Sequence, residues 1–367
     1  MRKIAYSRDR LAEAREIRLA WRNGEAAERI PFVYTVPYKQ EKYSRHELHT
    51  TPKYAVETML EEMENQFAVF PDSDYVPMFN MGYLGQQVLG SMFGLREMVV
   101  GHAKPFAVGV VVESLEKELD TLPQRFDLNS GLGPLLREAI QIAVEETGGE
   151  IPIRVHDYQS PLGTASKLMG FENLMYAMYD EPELFHKFMK LCVKAIADSI
   201  RAAEEWAGSP ELIIKSTVDP FEGGGMVIWD DYISVMTPEL HKEFCAPYNV
   251  ELFEIFGKGH LHTCGPYFPG YIDAVIASKP TSIDIVFLNG KTRTYEDMLT
   301  LKEISLREGI RLNGRARFGD KPASPELAAT LAEGGGFMWQ DAGSAEAGLR
   351  YLNIARQTKA QKMQKVI

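Results

Sequence analysis

Short β-rich apolar runs punctuate this chain at residues 30–36, 75–80, 151–158, 212–218, 259–264, 282–286, 310–313 and 336–340. Between them lie longer helix-like stretches at 53–70, 181–206, 238–256, 266–278, 294–308 and 324–332. Residues 7–27 are rich in Arg, Glu and Ala with little apolar periodicity, which predicts an exposed lead-in helix. A further β-rich run at 105–113 reads as an insertion. Thr237-Pro238 and Ser324-Pro325 each pair a capping side chain with proline at the first helical position, where its missing N–H costs nothing. Gly334 supplies a stop for the last helix. Eight β/α alternations, with no internal repeat or low-complexity linker, predict one (β/α)8 TIM barrel over residues 30–367, preceded by a helical lead-in at 1–29. The alternative is an open doubly wound sheet, but no Gly-rich phosphate fingerprint supports it. Gly223-Gly224-Gly225 lacks the Lys-Ser/Thr of a phosphate loop and reads as a flexible loop.

Composition narrows the class. With 367 residues, 45% apolar and 25% charged, the chain can bury a large core, and α/β barrels reach this length as one domain. A net charge of −11 argues against nucleic acid, whose phosphates demand a basic surface. No apolar run approaches the roughly 18 residues of a membrane span, and Met1-Arg2-Lys3-Ile4 opens no signal-peptide core. Cys192, Cys245 and Cys264 are odd in number and scattered, so no disulfide framework is implied. The expectation is a cytoplasmic protein without membrane or nucleic-acid partners.

Active sites of such barrels collect where strands end and loops begin. The polar residues there are Tyr38, Asn80, His156 with Asp157 and Gln159, Asp219 with Glu222, His262 with Cys264, Asp284, Asn313 and Asp341. Each taken singly reads as an ordinary loop or capping residue; their recurrence at nearly every strand end predicts a polar mouth. His262 and Cys264, two apart on a strand, project to the same side and bring an imidazole and a thiol toward a single ion. The alternative is a satisfied histidine beside a small buried cysteine. Met78, Phe79, Met81 and Tyr83 around Asn80, and Phe337, Met338 and Trp339 before Gln340, read mostly as core, with a few available as an apolar wall. Cys192 and Cys245 lie within helical patterns and are assigned to packing.

The stretch Asp230-Asp231-Tyr232-Ile233-Ser234, then Thr237-Pro238-Glu239, Phe244, Pro247-Tyr248 and His262-x-Cys264-Gly265, resembles the uroporphyrinogen decarboxylase superfamily. So does Gln159-Ser160-Pro161-Leu162-Gly163-Thr164-Ala165, followed by Gly170 and a helix opening near Asp180-Glu181-Pro182. The resemblance runs from about residue 31 to 356 and implies a (β/α)8 barrel. The true decarboxylases carry carboxylate-binding arginines after the first strand, whereas residues 36–42 here hold none. The corrinoid-dependent methyltransferase branch binds zinc through His-x-Cys, a later Cys and sometimes a carboxylate. His262 and Cys264 match the first pair. Asp284 falls near the carboxylate position, and Ala342 stands where the later thiolate belongs, within Gln340-Asp341-Ala342-Gly343.

Replacing a thiolate by oxygen ligands leaves a harder Lewis acid, suited to an oxygen substrate. The resemblance therefore implies a zinc-dependent methyltransferase, an O-demethylase component that moves a methyl group from an O-methyl (or N-methyl) substrate to the cobalt of a separate corrinoid (cobalamin) protein. His262, Cys264 and Asp284 would hold the metal. Tyr38, Asn80, His156, Gln159, Asp219 and Asn313 would bind substrate, with Glu222 and Asp341 as catalytic carboxylates. A homodimer is compatible with these features. The alternatives are a methylcobalamin:thiol methyltransferase, a decarboxylase-like enzyme, or a barrel that binds a small molecule without turnover.

Overall fold

The computed structural model describes residues 4–22, 36, 38–39, 41–99, 105–155, 158–215, 225–263, 271–288, 300, 303–304, 307–317 and 338–339; within these, the side chains of 21–22, 284–288, 312–317 and 338–339 are not described. The strands in chain order are β1 (Phe79–Asn80), β2 (Arg96–Met98), β3 (Phe106–Val108), β4 (Ile153–Arg154), β5 (Ile213–Ile214), β6 (Met226–Trp229), β7 (Gly259–Thr263), β8 (Ser282–Leu288), β9 (Arg311–Arg317) and β10 (Met338–Trp339). β2 and β3 form an antiparallel hairpin of their own, in keeping with an insertion. The others make two parallel sheets, β1-β4-β5 and β10-β9-β8-β7-β6.

Backbone bonds connect the two sheets. The Val227 amide donates to the Lys215 carbonyl at 2.7 Å, the Trp229 amide to that of Tyr158 at 3.1 Å, and the Ser160 amide to that of Trp229 at 2.8 Å. Eight parallel strands thus succeed one another in chain order, as in a TIM barrel. Among the described residues they form an open array rather than a closed ring. The strand expected at 30–36 lies outside the described residues except for Val36. β6 was not expected: the apolar run Met226-Val227-Ile228-Trp229 follows three glycines directly and was hidden in the supposed loop. Some strands are shorter than the apolar runs that predict them, only Phe79–Asn80 of 75–80 pairing, whereas β8 and β9 extend beyond 282–286 and 310–313.

Helices pack around the sheets. The longest, Pro182–Ala207, opens with proline in its first turn and stops at Gly208, whose φ of 75° is left-handed. It buries Phe185, Phe188, Met189, Cys192, Ile196, Ile200 and Ala203, a stripe recurring every three to four residues. Each such large side chain contributes roughly 1.5–3 kcal/mol by leaving water. The helix expected over 238–256 is two, Pro238–Phe244 and Ala246–Phe256. Pro247 explains the break, since its ring clashes with the carbonyl four residues back. Gly133–Thr147, Pro161–Met169 and Phe171–Asp180 are additional helices. Pro161–Met169 is buried almost all round and shows no polar face in sequence.

The first helix, Arg8–Arg22, corrects another expectation: it is not an exposed lead-in. Leu11, Ala14, Ile17 and Arg18 are buried, Arg18 Nη1 donates to the Asp74 carbonyl at 3.0 Å, and Arg10 pairs with the Asp74 carboxylate at 3.2 Å. Its stripe is short and interrupted by arginines whose charges are satisfied locally. No helix among the described residues is long and apolar enough to cross a membrane.

Candidate active site

Strand register gathers several of the expected polar residues into one row. Gln159 bridges to Trp229, Trp229 pairs with His262, His262 with Asp284, and Asp284 with Asn313. The preceding positions, Ile228 and Ile283, identify which face this is. Ile228 belongs to the core cluster containing Tyr248 and Leu252 of helix Ala246–Phe256, and Ile283 clusters with Ala274 and Val275 of helix Ile272–Ala277. Side chains alternate along a strand, so Trp229 and His262 face away from the helices, into the interior of the strand array.

His262 is fully buried, and its ring centroid lies 3.9 Å from that of Trp229 at an interplanar angle of 46°. Trp229 itself is partly exposed. On its other side, Gln159 is 7% exposed and packs against Gly163, where an added Cβ would come within 2.8 Å of the Gln159 Cβ. Among the described residues the Gln159 Nε2 donor has no partner, an arrangement that leaves a buried amide ready for an acceptor. Two residues before His262 on β7, His260 reaches Ser282 Oγ through Nδ1.

Immediately after Trp229 comes a buried polar centre. Asp230 is fully buried and accepts from His241 Nε2 at 2.9 Å, Asn249 Nδ2 at 2.9 Å and Ser160 Oγ at 3.3 Å. Burial pushes its pKa upward, but the His241 charge and the hydrogen bonds from His241, Asn249 and Ser160 outweigh that and hold the carboxyl below its ordinary value. The Asp230 amide donates to the His262 carbonyl at 2.8 Å. Asp230 and Ser160 stand inside the stretches that carry the family resemblance, yet sequence alone did not single them out, or His241 and Asn249, as functional. Only the fold brings these four together.

The remaining expected residues are placed as follows. Asn80 is exposed at the end of β1, and its Oδ1 accepts from the Gly82 amide, capping the turn that follows. Tyr38 donates to Glu61 Oε2 at 2.9 Å, on helix Pro52–Val69; that bond, helped by burial and the Glu61 charge, raises its pKa. The structure does not bring Tyr38 to the His262 row. His156, Asp157, Asp219, Glu222, Cys264, Asp341 and Ala342 lie outside the described residues, as do the side chains of Asp284 and Asn313.

Among the described residues no three His, Cys, Asp or Glu side chains converge as a metal site. The row nonetheless places His262 and Asp284 as immediate cross-strand neighbours, with Cys264 two positions beyond His262. Imidazole, carboxylate and thiolate are the donor types zinc accepts. Cys192 and Cys245 are fully buried in the core, where burial pushes both thiols up and disfavours the thiolate a metal needs.

The uroporphyrinogen decarboxylase (URO-D) family model matches residues 14–300, most of the chain and all of the Gln159, Trp229 and His262 neighbourhood. The chain belongs to the uroporphyrinogen decarboxylase family. No curated protein matches this family member. Among solved structures it is similar in fold to a methyltransferase from Methanosarcina mazei, with a TM-score of 0.64 and 18% sequence identity, over 94% of this chain and 98% of that one.

Proposed function

We propose that this family member is a zinc-dependent methyltransferase that moves a methyl group from an O-methyl (or N-methyl) compound to the cobalt of a partner corrinoid protein. The observation that carries the reading is the single row in which Gln159, Trp229, His262, Asp284 and Asn313 stand side by side, with Cys264 two residues after His262 in the sequence. The fold shared with a protein described as a methyltransferase supports it. His262, Cys264 and Asp284 would hold the metal. Bound there, zinc supplies Lewis acidity toward the oxygen that leaves as the methyl group departs.

This chain's own residues do the rest. The buried Gln159 amide, which has no partner among the described residues, donates a hydrogen bond to an acceptor on the substrate and fixes its position. Trp229 supplies an apolar wall that seats the substrate beside His262 and excludes water from it. His156, Asp219 and Asn313 would orient polar groups from the neighbouring strand ends, and Asn80 would do so once released from its capping bond. Glu222 and Asp341 would manage the proton taken up by the leaving oxygen. With one cysteine rather than two, the donor set favours an ether over a thiol, which argues against the thiol-methylating alternative.

The test is product formation. Zinc-loaded protein incubated with a reduced corrinoid protein and a panel of methoxylated aromatic and aliphatic compounds should release the demethylated hydroxyl compound, quantified by mass spectrometry. Release that is equal without corrinoid, or absent across the panel, would count against the reading.

A further inference from the structure

A buried carboxylate is costly, because the protein must replace all the solvation it loses. Asp230 meets His241 in such a setting, hydrogen-bonded at 2.9 Å with both side chains at 0% exposure. Around them the chain assembles groups from separate elements. Ser160 caps helix Pro161–Met169, His241 lies on Pro238–Phe244, Asn249 on Ala246–Phe256, and Ser278 ends Ile272–Ala277 and meets Asn249 Nδ2 at 3.2 Å. Among the described residues the network is not fully satisfied: His241 Nδ1 and Asn249 Oδ1 find no partner there. As a device for stability alone it is inferior to an apolar plug.

Its location suggests what it does. Asp230 directly follows Trp229, and its amide is bonded to the carbonyl of His262. Ser160 holds both residues at once, donating its amide to the Trp229 carbonyl at 2.8 Å and its hydroxyl to Asp230 Oδ1 at 3.3 Å. The Trp229 backbone is therefore gripped on one side by residues 158–160 and on the other by β7. The indole above this grip is the one packed, tilted at 46°, against the His262 imidazole.

We infer that Asp230 and His241 are positioning residues: the pair fixes the Trp229–Asp230 backbone so that the indole holds the His262 ring in the orientation its ligand requires. Neither residue touches substrate. The inference rests on the reading of His262 as a zinc ligand, but its consequence for Trp229 stands apart from that reading. A pair that merely fastened helices to the sheet would, when broken, lower stability and leave the Trp229–His262 ring contact and metal affinity unchanged.

The experiment uses the full chain labelled with 5-fluorotryptophan, in which Trp229 is assigned among the four tryptophans with Trp229→Phe. Asp230→Asn and His241→Leu should shift or broaden the Trp229 fluorine resonance and weaken zinc, measured by chelator competition, by about tenfold or more. His241→Gln, which can return a donor to the Nε2 position, should restore both. Cys192→Ala, a buried core change remote from the row, should lower the melting temperature without moving the resonance. If Asp230→Asn fails to fold, Ser160→Ala, which removes one hydroxyl donor, gives the same readout. An unmoved Trp229 resonance with zinc affinity within about twofold of wild type would overturn the inference. Should the wild type bind no zinc, the metal reading fails, and the fluorine resonance still decides whether the pair positions Trp229.

Discussion

His262 and Asp284 are registered partners on adjacent parallel strands, directly opposite one another near the end of β7 and near the start of β8. Neighbouring strands lie about 4.8 Å apart, so an imidazole and a carboxylate residue are brought within the span of one ion without any loop. Purified protein should therefore carry about one zinc per chain. Elemental analysis of wild type beside Cys264→Ala checks this, with metal expected to fall sharply in the variant. Equal content in both would remove Cys264 from the site.

The ligand set should contain a single sulfur. Cys192 and Cys245 are fully buried, Cys245 Sγ lies against Met236 Sδ at 4.0 Å, and burial disfavours the thiolate of both. Zinc-edge absorption spectroscopy should fit a nitrogen/oxygen shell with one Zn–S distance near 2.3 Å. A fit demanding two or more sulfurs would mean that a core cysteine reaches the metal.

Gly259 fixes where β7 begins. A Cβ there would fall 2.1 Å from Cδ2 of Phe253, which is buried beneath the strand. Gly259→Ala should cost about 1–3 kcal/mol by overpacking. Urea denaturation measures it, and Phe253→Leu in the same chain should recover part of the loss. A neutral Gly259→Ala would show that the strand start has room to shift.

Lys167, on helix Pro161–Met169, is half-buried and has no ion-pair partner among the described residues. Burial lowers its pKa, and Asp231 offsets this only in part. The folded state thus binds the proton less tightly than the unfolded chain, so the penalty is full at neutral pH. It is relieved as the pH rises toward the ordinary lysine value. Lys167→Met should melt higher than wild type at pH 7, with the gap closing near pH 10. A gap that widens with pH would have the wrong sign.

Much of this was legible in the sequence because strands and helices announce themselves by period. The runs at 259–264 and 282–286 and the helix over 181–206 are found within two residues of their predicted bounds. The row containing Gln159, His262, Asp284 and Asn313 follows from register, which only pairing can reveal, although each member had been marked from its strand-end position. Trp229 was missed because its strand is four residues long and abuts a glycine run. The Asp230, His241 and Asn249 cluster draws on the end of a strand and two separate helices, at positions up to 19 residues apart, and no local pattern encodes it. Tyr38 was marked in the same way, and no local pattern foretold that its hydroxyl donates to Glu61 on a helix.

Methyl-cobalt formation tests the central claim most directly. Zinc-loaded protein is mixed with a reduced corrinoid protein, free cob(I)alamin being run in parallel, and with the methoxylated panel, while the visible spectrum is followed. The account predicts conversion of cob(I) to methyl-cob(III) with at least one methoxy compound, lost in Cys264→Ala and strongly slowed in Gln159→Ala. Methylation of thiols from methylcobalamin, with no methoxy compound reacting, would contradict the direction of transfer. No reaction of either kind with a fully loaded metal site would contradict the methyltransferase itself.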